Sequence, residues 1–236
     1  MKKETIVILN RSEFLAASAS VAASASAGVP GGTHRVERRA DFDERAFGAA
    51  VGRPAQIRQV YEATVFDPAV LGSIKNSFNG LQFGFGYPPQ AIAIVLAGHG
   101  PSSIYAYTDY LWTKYRIGEF FSVKDGSGNP VTGNVFLSPG AVSDSSADPD
   151  DARSLYQQSS IAALMRRGMI VLTCHTAVEE QAAAFVRKSF APSGMTTSEV
   201  AADILTHLIP GAIVVPSMVA TIAVLQTTFR YSYLSR

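Results

Sequence analysis

Apolar positions along this chain change their rhythm near residue 90. Upstream they recur at helical spacing. Residues 41–51 and 55–64 read as short helices. A stronger helix opens at Asp67-Pro68, where Asp67 can cap and Pro68 suits the first turn; Val70, Leu71, Ile74 and Phe78 then share one face. Residues 80–89 set Phe83, Phe85 and Tyr87 among glycines and stop at Pro88-Pro89. Aromatics at this density call for a covering surface, on the same chain or a neighbouring subunit.

Downstream, continuous apolar runs alternate with amphipathic stretches. Residues 91–97 are apolar without a break, as a parallel strand covered on both faces should be. Residues 134–137 read as a short strand, 169–173 and 211–216 as further strands, and 229–234 as a closing edge strand. Helices are expected at 102–115, 153–166, 178–189, 198–208 and 217–226, with loops at 125–130 and 139–151. No internal repeat is present. This alternation predicts an α/β fold: a mostly parallel sheet with helices on both faces, preceded by a helical N-terminal arm.

Composition narrows the picture. Among 236 residues, 47% are hydrophobic and 17% charged, enough for a sizeable core, and the net charge is +1. Such balance argues against bulk electrostatic binding to nucleic acid or anionic membrane. The small cluster Arg35, Arg38 and Arg39 is offset by Glu37, Asp41, Asp43 and Glu44.

The first 27 residues read as an address. Lys2 and Lys3 give a basic start, Asn10-Arg11-Ser12-Glu13-Phe14-Leu15 follows, and a small, uncharged Ala/Ser run ends in Ala25-Ser26-Ala27, a small-x-small cleavage pattern. The segment resembles a twin-arginine export signal with Ser12 in place of the second arginine. An exported, periplasmic protein is the expectation; an Ala/Ser tail or surface helix is the alternative. So serine-rich a run falls short of the ~20 strongly apolar residues a membrane span needs. The chain divides into an export segment (1–27), a linker and helical arm (28–89) and an α/β domain (90–236).

Chemistry concentrates at the ends of the expected strands. The only cysteine, Cys174, closes the apolar run from Met169, and His175 follows. One cysteine cannot form an intramolecular disulfide, a Cys-x-x-Cys motif or a four-cysteine zinc site. It serves either as a nucleophile or ligand, or as a small buried hydrophobe. In a parallel sheet the carboxyl ends of the strands share one edge, where ligands bind. That edge gathers Gly98-His99-Gly100, Cys174-His175-Thr176 and Pro216-Ser217-Met218. The helices that follow aim their amino ends at it, which favours a small anion. Cys174 and His175 are thus candidates for catalysis; His99, Gly100 and Ser217 are candidates for ligand binding. The alternatives are plain: His99 as a turn residue, Ser217 as a helix cap, His207 as a helix-end residue and Glu179-Glu180 as a solvated helix start.

Three segments carry a family resemblance: 167–174 ending in Cys174, 208–220 with Pro210-Gly211-Ala212 and Val214-Val215-Pro216-Ser217, and Leu225-Gln226 followed by Tyr231-Ser232-Tyr233. Together they resemble a DsrE/DsrF-type domain over roughly residues 90–236. The resemblance implies a compact α/β unit that forms trimers or hexamers, and in some members a persulfide on the cysteine matching Cys174. His175-Thr176-Ala177 departs from the turn that follows the cysteine in many sulfur-relay members. Two functional classes follow. One is a sulfur-handling protein, its thiolate tuned by His175 or His99 and its ligand small and anionic or sulfur-containing. The other is a haem-, metal- or small-ligand-binding protein using Cys174, His175 and His99. A structural oligomer with an inert buried cysteine stands behind both.

Overall fold

The computed structural model describes residues 35–138 and 146–235. The expected export segment (1–27), the start of the expected linker and arm (28–34) and part of the loop expected at 139–151 lie outside them. Five strands form one sheet: β1 (Ile57–Ala63), β2 (Ile92–Gly98), β3 (Met169–Cys174), β4 (Ile213–Val215) and β5 (Ser232–Ser235). Every pairing is parallel, and the order is β4-β3-β2-β1-β5. The protein is therefore an α/β protein with an all-parallel sheet.

Alternation along the strands splits the core in two. Ile92, Ile94 and Leu96 of β2 face one side with Tyr61 and Val171. Ala93, Val95 and Ala97 face the other with Val60, Leu172 and Cys174. The first side is covered by α2 (Ala69–Asn79), α3 (Asp109–Lys114), α4 (Ile117–Phe120), α5 (Ile161–Arg166), α6 (His175–Arg187) and α7 (Thr197–Thr206). Among the described residues the second side has only α1 (Glu44–Val51) and α8 (Met218–Thr227). Steps from β1 to β4 march one way with their helices on the first side. The return from β4 to β5 places α8 on the second, as right-handed crossovers require.

The structure corrects four expectations. Residues 55–64 are not a helix: 57–63 form β1, between β2 and β5, so the sheet begins before residue 90. Residues 134–137 form turns, where the buried Asn134 side chain donates to the Tyr105 and Tyr107 carbonyls. The helix expected over 102–115 is a 3-10 turn, Gly100–Ala106, then α3; Tyr107 and Thr108 between them are extended. The helix expected over 153–166 is likewise interrupted, because Ser160 starts α5 by accepting from the Ala163 amide. The arm expected upstream of the sheet contributes α1 and α2, which pack Phe47 and Val51 on the second face and Val70, Leu71, Ile74 and Phe78 on the first. Phe85 stays 78% exposed, and Phe83 meets Tyr156 edge-on.

Candidate functional site

Two neighbouring strands part company at β3 and β4. After β3 the chain turns into α6 on the first face; after β4 it turns into α8 on the second. In open parallel sheets such a divergence at the carboxyl edge marks the usual ligand position. Cys174 and Val215 are register partners there. The Thr176 hydroxyl donates to the Pro216 carbonyl at 3.2 Å and ties the two exits together.

Cys174 is 4% exposed and points to the second face. Its Sγ receives the Met218 amide, the first of α8, at 3.3 Å. Neither Cys174 nor Ser217 caps the helix it precedes through its side chain; the first amide of α8 is taken by the Cys174 sulfur instead. Ser217 occupies the N-cap position of α8 and lines an apolar groove of about 430 Å³ between α1 and α8, with Phe42, Phe47, Ala220, Val224 and Phe229. Cys174, His99 and His175 do not line that groove.

His99 continues β2 in extended geometry (φ −147°, ψ 168°). Gly98 pairs with Thr173, and alternation carried one residue on turns His99 toward the second face, where Cys174 also lies. His99 Nε2 lies 2.9 Å from Glu62 Oε1 of β1. The other Glu62 oxygen accepts from the Tyr233 hydroxyl of β5. A row Tyr233–Glu62–His99 thus crosses three strands toward Cys174. That acceptor holds the phenolic proton and raises the Tyr233 pKa.

Gly100 adopts φ +57°, and a Cβ there would meet the Thr64 carbonyl at 3.3 Å. Its own carbonyl accepts from the Gln181 amide of α6. The fully buried Ser102 hydroxyl accepts from the His99 amide at 3.1 Å and donates to the Ala63 carbonyl, which fixes the turn. Gly100 therefore shapes the loop that holds His99.

His175 opens α6 and is buried. Its Nε2 lies 3.8 Å from Glu179 Oε1, and its Nδ1 has no hydrogen-bond partner. Glu37, from the segment before α1, is raised in pKa by burial and drawn back by the nearby His175. The structure thus brings His99 to the cysteine's face and engages His175 with glutamates, while Glu62 and Tyr233 join the site unannounced by the sequence. Among the described residues no group of three or more His, Cys, Asp or Glu could hold a metal ion, and no helix is long and apolar enough to cross a membrane. No protein-family model, curated protein or solved structure matches this chain.

Proposed function

We propose that this is an exported, periplasmic protein of DsrE/DsrF-like type that carries sulfur as a persulfide on Cys174. The observation that carries the reading is the position of its sulfur: where β3 and β4 diverge, accepting the first amide of α8. Amide donors and helix amino ends favour an anionic sulfur species there. The ligand class is small, anionic and sulfur-containing, such as polysulfide or thiosulfate, and the working form is a trimer or hexamer. His99, Gly100 and Ser217 frame the ligand position.

The low exposure of Cys174 favours a second reading, a structural oligomer with an inert cysteine. One experiment separates them. Intact mass of the purified protein is read without reductant, before and after inorganic polysulfide. The sulfur-carrier reading expects a gain of whole sulfur atoms that Cys174→Ser abolishes. An unchanged mass, with a thiol that also resists alkylation, establishes the inert reading.

A further inference from the structure

Three buried polar atoms without hydrogen-bond partners lie near the amino edge of the sheet, a strand length from Cys174. Two are Nη1 and Nη2 of Arg167, which closes α5 just before β3. The guanidinium sits over the rings of Phe78 and Tyr156, with Cζ 4.9 Å and 5.1 Å from their centroids. Ring faces attract a cation, but they do not replace acceptors for its in-plane N–H groups. Burial draws the Arg167 pKa down to about 10, and among the described residues the one electrostatic influence on it is Tyr156. A buried cation without a counter-ion is costly, and a bound anion is its natural complement. The third atom is Asn79 Oδ1. Asn79 ends α2 beside Phe78, and its Nδ2 donates to the Tyr156 carbonyl at 3.0 Å. That bond fixes the amide and leaves its oxygen as a buried acceptor. The unmet donors and the unmet acceptor therefore flank one residue, Tyr156. Phe83 packs edge-on against Tyr156 at 4.9 Å and is itself exposed, as is Phe85, so an aromatic surface leads from the cluster to solvent.

We propose that Arg167 and Asn79, with the rings around them, form a binding site for a small carboxylic acid that carries a hydroxyl or amino donor beside its carboxylate and an apolar body. The carboxylate takes Nη1 and Nη2 as a bidentate pair, the geometry that the edge of a guanidinium presents. The neighbouring O–H or N–H donates to Asn79 Oδ1. The apolar body lies on Tyr156 and Phe83. Both guanidinium nitrogens are shielded from solvent, so the ligand enters by displacing side chains of the aromatic layer. No covalent step is involved. The site is independent of the sulfur-carrier reading, because Arg167 and Cys174 stand at opposite ends of β3.

The test adds mandelate, an aromatic 2-hydroxy acid, or phenylacetate, which lacks only the hydroxyl, to the full chain. It follows the ¹⁵N side-chain resonance of Arg167 and the Tm. Mandelate should move that resonance saturably, raise the Tm and bind about 10-fold more tightly than phenylacetate, since only mandelate satisfies the amide oxygen. Asn79→Ala should bring the two acids to equal affinity. Arg167→Met should abolish the Tm response to both and, freed of an unpaired buried cation, should melt no lower than wild type without ligand. Should Arg167→Met fail to melt cooperatively, Arg167→Lys gives the same readout, because a point charge cannot make the bidentate pair; it should bind mandelate about 10-fold more weakly or worse. A wild-type chain that neither acid shifts overturns the proposal and leaves the cation to the aromatic stack alone. Binding that survives both Arg167 variants overturns it as well, and equal affinity for the two acids in wild type overturns the assigned ligand class.

Discussion

A single backbone angle at Gly100 does as much for the edge as any side chain. With φ at +57° and the Thr64 carbonyl 3.3 Å from where a Cβ would stand, only glycine fits without strain. Gly100→Ala should cost about 1–2 kcal/mol, read as a Tm lowered by roughly 2–8 °C, and should shift the His99 resonances because the turn carries that ring. The neighbouring histidines teach a related lesson. Adjacency in sequence made His175 look like the cysteine's partner. Its place as the first residue of α6 also sets it near Glu179 and Glu37. His99, 75 residues away in the chain, follows the β2 residue whose partner, Thr173, precedes Cys174. Glu62 and Tyr233 could not be read in advance, since their pairing depends on which strands flank which.

Elements were legible in proportion to how completely they are buried. β2 is buried at every position, and its unbroken apolar run announces it. β1 holds a central position yet reads as polar, because Arg58, Gln59 and Glu62 interrupt it. All three are bonded within the fold. Arg58 donates to the Val51 and Arg53 carbonyls, Gln59 accepts from Ser77 of α2, and Glu62 bonds His99. Helices were located well where an apolar stripe continues and poorly where a serine or an extended pair restarts the chain. Between α3 and α7, Asp203 receives the Tyr115 hydroxyl at 2.6 Å and Lys114 Nζ at 3.0 Å. Burial alone would raise its pKa, but these bonds outweigh burial and lower it. A lowered carboxylate contributes stability above the unfolded-state value and loses it as pH falls through the folded one. Thermal melts should therefore show wild type losing Tm faster than Asp203→Asn as pH is taken down through the carboxylate range, with wild type the more stable at neutral pH.

Across the whole molecule, the sheet does not respect the change of rhythm near residue 90. A chain begun at residue 90 lacks β1, which carries the pairings to both β2 and β5, along with α1 and α2. Such a fragment should show no cooperative thermal transition by circular dichroism, whereas a chain begun at residue 35 should melt cooperatively. The fold class was legible because alternating strands and helices leave few arrangements. The order β4-β3-β2-β1-β5 was not, since short polar-ended strands such as β5 carry little signal of where they insert.

That order also governs assembly in time. β5 docks on β1, 171 positions separating Glu62 from Tyr233, so the first strand of the sheet waits for the last. Until residue 235 has been made, Ile57–Ala63 offers an unpaired edge on which any extended segment could template. The same docking event delivers the phenol that braces Glu62. Completion of the sheet and completion of the Tyr233–Glu62–His99 row are one step, so an incompletely folded chain carries a His99 whose glutamate is not yet braced.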